Sequence, residues 1–161
     1  MNLKKLYELQ KNLDDRIREQ HNLQGVSLLS KKTLALNVEI GELANETRCF
    51  KYWSDKKASD RDRILEEYVD CLHFILAIGI EKEYDDTPIE LKSTDYDMTE
   101  QFLTLYIDIN DFMVCSSKDH YITLFEDFLS FGKSLGFSEE DVEDAYVKKN
   151  NINHKRQDEG Y

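Results

Sequence analysis

Apolar residues recur three and four apart along almost the whole chain, the period of helices packed on one face. Leu3, Leu6, Leu9, Leu13 and Ile17 predict an amphipathic helix over about residues 2–20, with Gln10 and Asp14 one turn apart beside the stripe. His21 to Ser30, with Gly25 and several polar residues, reads as a loop. Leu34, Leu36, Val38, Ile40, Leu43 and Ala44 carry a second helix over about 31–49. Gly41 inside it costs about 1 kcal/mol relative to alanine and is either a tolerated defect or a place where another element comes close. Ser59, followed by Asp60 and Asp62, predicts the N-cap of a third helix reaching about Glu83. Its second half, Cys71 to Ile80, is apolar nearly all round, as a buried helix is. Tyr84 to about Met98, with the only proline, Pro88, reads as a loop or insert. Two more amphipathic helices follow, over about 99–115 and 119–134. Gly136 suits a C-terminal cap, and Ser138 before Glu139, Glu140 and Asp141 opens a last helix. No stretch alternates Val, Ile and Thr as a strand would, so the expected fold is all-α, a bundle of about six helices.

Two acidic pairs stand out against this framework. Glu39 and Glu42 share one face of the second helix, with Glu46 in the same arc, and Glu67 and Asp70 repeat the spacing on the third. Like charges brought together repel and raise each other's pKa, so four carboxylates gain by converging only on a cation. Oxygen-only donors suit hard ions, and Mg²⁺ characteristically bridges carboxylates to phosphates. In a chain with 33 Asp+Glu, one Glu-x-x-Glu is most simply a solvated face. Two pairs, the second where exposure gives way to burial, point to a metal site and to phosphoryl-transfer chemistry.

Composition narrows the classes. The 161 residues, 40% hydrophobic, suit a single domain with a proper core. A formal charge of −12 disfavours duplex nucleic acid as a ligand. Cys49, Cys71 and Cys115 lack metal-ligand spacing and lie beside apolar residues, so they are expected to be reduced core thiols of a cytoplasmic protein. The first residues lead into an amphipathic pattern and not the apolar core expected of a signal peptide, and no run reaches transmembrane length.

Two clusters could supply the rest of a site. Phe50-Lys51-Tyr52-Trp53 follows the acidic helix, where rings stack on a base or simply pack the core. Lys149, Asn153 and Arg156 share a face of the last helix, within a basic and amide-rich end to an otherwise acidic chain. Arg and Lys match phosphate oxygens, and Asn reads hydroxyls or base edges; basic residues complementing the helix dipole explain only part of the cluster. His73, three residues after Asp70, could extend the ligand set, but a histidine on a buried helix is more often hydrogen-bonded core.

Glu39-x-x-Glu42, Glu67-x-x-Asp70 and Lys149-x-x-x-Asn153-x-x-Arg156-Gln157-x-x-Gly160-Tyr161 together resemble the dimeric dUTPases of the all-α NTP pyrophosphohydrolase (MazG-like) superfamily, especially the short forms of staphylococcal phages. Leu9-Gln10 and Phe50-Lys51-Tyr52-Trp53 narrow the likeness to dUTPase, and it covers nearly the whole chain. The resemblance implies catalytic helices in about 2–83 and 138–157 around a variable helical segment, about 84–135. It implies two or more Mg²⁺ ions on Glu39, Glu42, Glu67 and Asp70, with Glu39 also orienting or deprotonating the attacking water. Lys149 and Arg156 would hold phosphates; Gln10, Trp53, Phe74 and Asn153 would form the nucleoside pocket, Phe74 stacking on uracil. Where relatives carry Asn four residues after the glutamine, this chain has Asp14. The expected reaction is dUTP, and also dUDP, hydrolysed by a homodimer, in the bacterial host cell if phage-encoded.

Two rival expectations remain. A broader all-α pyrophosphohydrolase would share the metal ligands and differ at Gln10, Trp53, Phe74 and Asn153. An interaction protein would instead, or in addition, bind a pathogenicity-island repressor of the Stl type through the acidic segment from about Tyr84 to His120, which lies outside the catalytic motifs.

Overall fold

The six expected helices form, and four of them open on a side-chain cap that the chain spells out. The computed structural model describes residues 1–160; Tyr161, the last residue of the C-terminal motif, lies outside the described residues. In chain order they are α1 (Leu3–Gln20), α2 (Leu29–Thr47), α3 (Arg61–Glu81), α4 (Met98–Val114), α5 (Lys118–Ser134) and α6 (Glu139–Asp158). Ser138 and Asp141 form a reciprocal capping box at the start of α6, and Asp97 and Glu100 do the same for α4. Gly136, at φ +80°, takes the left-handed position that closes α5, with the Phe137 N–H bonded to the Gly132 carbonyl.

The third helix starts differently from the expectation. Its N-cap is Asp60, and the Ser59 hydroxyl is turned away to bond the Glu46 carboxylate while the Ser59 N–H bonds the Glu46 carbonyl. A carboxylate within reach outcompetes the helix's own free N–H groups for that hydroxyl. Of the cysteines, only Cys71 is core; Cys49 is half-buried and Cys115 is exposed. Cys115 follows the last residue of α4 and so escapes the apolar stripe that the helical pattern assigned it.

Helix α3 is the centre of the bundle. It packs against α1, α2, α5 and α6, while α1 also meets α6 and α4 pairs with α5 and leans on α2. Its mostly apolar second half, from Cys71 to Gly79, is buried apart from the half-buried Phe74, as the all-round hydrophobicity predicts. The crossing of α3 and α5 is built from a repeated pair: Tyr68 of α3 lies against Gly132 of α5, and Tyr121 of α5 against Gly79 of α3. A Cβ at either glycine would collide with the facing ring, so the two helices approach only because both positions are bare. Tyr68 donates to the Phe128 carbonyl at 3.2 Å and Tyr121 to the Ile75 carbonyl at 3.1 Å, which satisfies both buried hydroxyls. Gly41 likewise faces Tyr106 of α4, whose hydroxyl would be 3.3 Å from a Cβ there, so its bareness admits a neighbour.

The segment between α3 and α4 has no helix of its own but is tied along α5. The Glu90 N–H bonds the Glu126 carboxylate at 3.1 Å and the Lys92 N–H bonds the Ser130 hydroxyl at 3.0 Å. No helix among the described residues is long and apolar enough to cross a membrane.

Candidate active site

Packing of α2 along α3 brings the two acidic faces together. Carboxylate oxygens of Glu39, Glu67 and Asp70 all lie within 4.8 Å of one another. Glu42, one turn after Glu39, is exposed and not part of that triplet, yet it is near enough for its charge to act on both Glu39 and Glu67. Burial, and then the charges of Asp70, Glu42 and Glu67, push the Glu39 carboxyl up to about 7. Burial also raises Glu67 and Asp70 above the usual carboxylate range.

Two cations border the cluster. The Lys149 ammonium, on α6, donates to Asp70 at 2.6 Å and to Glu66 at 3.0 Å; burial disfavours its charge, but the two carboxylates more than offset this and raise its pKa. Arg63 pairs with Glu67 and, at 2.9 Å, with Glu66. That pairing was legible in the sequence as an i, i+3 and i, i+4 relation, which a search for carboxylates alone passes over. The hard, oxygen-only donor set, with carboxyls driven up in pKa by burial and then by crowding, fits a divalent cation of the Mg²⁺ type.

Beside the cluster opens a cavity of about 560 Å³ whose walls come from α1, α2, α3, α6 and the loop before α2. Glu39 and Asp70 line it, and Gln10, His73, Phe74, Asn153, Arg156 and Gln157 line it too. Five of the six non-carboxylate residues of the expected site therefore have a clear place: Gln10, Phe74, Asn153 and Arg156 in the cavity wall, and Lys149 against the acidic cluster. Trp53 does not reach the cavity. It is 64% exposed and stacks edge-on with Phe50 and Tyr52, themselves exposed, in the loop after α2, so this group is neither core nor pocket within one chain.

The structure also assembles residues that spacing did not single out. Lys32 is wedged between α1 and α3, with Asp14 at 2.7 Å, Glu81 at 3.0 Å and the Ala77 carbonyl at 3.0 Å. Glu81 in turn accepts from Arg18 at 3.1 Å and from the Leu28 N–H at 2.6 Å, which ties the loop before α2 to the end of α3. Tyr146, buried on α6, donates to Gln10 at 2.6 Å and stacks on the His73 ring with centroids 4.1 Å apart. His73 is not among the converging ligand atoms; its Nδ1 lies 2.7 Å from the Gln10 Oε1. His21 and His120 have partners elsewhere, in Gln157 and the Cys115 carbonyl.

A carboxylate cluster thus meets a mostly apolar cleft that the amides of Gln10, Asn153 and Gln157 and the Arg156 guanidinium also line. Compared with known families, the chain matches the sequence model of the family described as dUTPase over residues 2–161. No curated protein matches it.

Proposed function

The chain belongs to the dUTPase family, of the all-α type, and hydrolyses dUTP; we propose that it does so with Mg²⁺ held by Glu39, Glu67 and Asp70, assisted by Glu42, and with the nucleoside in the adjoining cavity. The observation that carries this reading is the continuity of the two: Glu39 and Asp70 belong at once to the carboxylate triplet and to the cavity wall. Bound there, Mg²⁺ supplies charge neutralisation and activation of water for pyrophosphate release. The protein's own groups do the rest. Glu39, half-buried at the edge of the cluster, orients the attacking water and takes its proton. Arg156 and Lys149 offset phosphate charge from α6, Phe74 packs against the base, Asn153 presents its amide to the nucleoside, and Gln10 has one amide N–H left to offer it. dUDP fits the same arrangement as a shorter substrate.

A homodimer is part of the proposal. Leu34 and Val38 on α2 and Leu103 and Ile107 on α4 are all more than half exposed, on helices that touch at Tyr106, and a second copy would cover them. The segment outside the catalytic helices also exposes Leu91, Tyr96, Met113 and Val114, which favours a repressor-binding surface away from the cavity as a second role. Independent binding of repressor and dUTP supports that surface, and competition between them removes it.

The test is pyrophosphate release from dUTP, dTTP, dCTP and dATP, each with Mg²⁺ and with EDTA. Turnover confined to dUTP and abolished by EDTA is the expected result. Equal turnover of all four points instead to a broad-range pyrophosphohydrolase.

A further inference from the structure

Gln10 and His73 are 4% and 5% exposed, and their hydrogen bonds form a chain with a direction. It begins at Asp14, whose carboxylate is held by the Lys32 ammonium and can only accept. The partner 2.7 Å from its Oδ1 must therefore be the amide nitrogen of Gln10, which places the Gln10 oxygen at the other end. That oxygen takes two bonds, from the Tyr146 hydroxyl at 2.6 Å and from His73 Nδ1 at 2.7 Å, so Nδ1 must carry the proton. Burial drives the imidazolium form out, with the nearby Lys149 charge adding to it, and lowers the pKa of His73 to about 3, so the ring is neutral. In a neutral ring with a protonated Nδ1, Nε2 is a bare acceptor. It is buried, has no hydrogen-bond partner, and belongs to a residue that lines the cavity.

An unpartnered buried acceptor costs about 1–3 kcal/mol, which a ligand donor recovers. We propose that His73 Nε2 accepts the N3–H of uracil, and that Asp14 is the positioning residue that sets the polarity of the Gln10–His73 chain and so makes cytosine the wrong base. Cytosine presents a lone pair at N3, which would meet the Nε2 lone pair head-on, whereas uracil presents a hydrogen. Thymine carries the same N3–H, so this device separates uracil from cytosine and leaves thymine to be excluded by shape. The proposal rests on the reading of the cavity as the nucleoside site. It gives Asp14 a role that needs no contact with the base.

Asp14→Asn keeps the shape and leaves Lys32 its bonds to Glu81 and Ala77, but its amide can donate as well as accept. Gln10 can then turn over and His73 can move its proton to Nε2. Nitrogen-15 NMR of the histidine rings in the whole protein reads this directly, and the same spectrum reports the fold. We expect a neutral ring protonated at Nδ1 in the parent chain and a mixed or reversed tautomer in Asp14→Asn. The ratio of kcat/KM for dUTP over dCTP should fall at least ~10-fold in Asp14→Asn and in His73→Gln, with the dUTP over dTTP ratio nearly constant. Protonation at Nε2 in the parent chain overturns the proposal, and so does a tautomer change with no change in the dCTP ratio. Equal falls in both ratios mean a general loosening and overturn it as well. Phe74→Ala, run in parallel, reports on the cavity itself: an unchanged kcat/KM for dUTP removes it as the nucleoside site and takes this inference with it.

Discussion

Glu39, Glu67 and Asp70 crowd together between α2 and α3, and Asp108 and Asp127 crowd together between α4 and α5, but the two groups relieve their repulsion in opposite ways. Around the first, Lys149 pairs with Asp70 and Arg63 with Glu67, and one oxygen from each of Glu39, Glu67 and Asp70 lies within 4.8 Å of the others beside an open cavity. Around the second, Lys92 pairs with Glu126 at 2.8 Å and only reaches Asp127 at 4.0 Å, while one oxygen of Asp108 is buried with no partner. Burial, then the neighbouring Asp127, push Asp108 up to about 7. The proposed metal cluster has counter-charges on two of its own carboxylates and opens on a cavity, whereas Asp108, buried in the α4–α5 hairpin, has one oxygen with no partner and its pKa pushed up towards the neutral form. Acidic composition alone does not tell these apart.

Breaking the first cluster should have the largest effect. Glu39→Gln is isosteric and removes one charge from a repelling group, so turnover should fall by ~10³-fold or more while the melting temperature is unchanged or higher. Pyrophosphate release and a thermal melt on the same preparation check both halves. Near-normal turnover would sink the assignment of the metal site.

Arg156→Ala sharpens the comparison on the side of the ligand. Arg156 lines the cavity from α6, and removing one guanidinium contact to phosphate should raise KM for dUTP by ~10-fold, with a smaller change in kcat. Steady-state kinetics decide it, and an unaltered KM takes Arg156 out of the site.

Much of this was legible in the chain, and the parts that were not share a cause. The carboxylate pairs, the six helices and the Ser138 and Gly136 caps are local patterns, written in spacings of three and four. Gln10 was legible as a candidate, but its partners are not local: His73 is 63 residues away and Tyr146 136, so the polarity of that chain exists only after folding. Lys32 was hidden for the same reason, since its partners lie on α1 and α3. Ser59 shows the converse. It was expected to cap α3, but a carboxylate on another helix claimed its hydroxyl and Asp60 became the N-cap. Trp53 lay in the right motif and still does not reach the cavity of its own chain, because α2 ends at Thr47 with Arg48 in the left-handed region and the loop turns outward.

The smallest effect belongs to the second cluster, and its sign follows from linkage. Asp108 has a folded pKa of about 7, against ~3.9 for an unfolded aspartate, so the native chain holds a proton that the unfolded chain gives up. Its contribution therefore falls as the pH rises from about 4 through 7, the reverse of an aspartate in a salt bridge. In Asp108→Asn the side chain is neutral at every pH, and its amide can donate to a neighbouring carboxylate. The variant should gain ~1 kcal/mol at pH 8, raising the melting temperature by about 2–4 °C in a chain of this size, and little or nothing at pH 5. Turnover of dUTP should be unaltered, because α4 and α5 contribute nothing to the cavity wall. Melts of both proteins across pH 5–8 check this. Parallel curves would mean that Asp108 does not change its protonation between pH 5 and 8 and would remove the contrast between the two clusters.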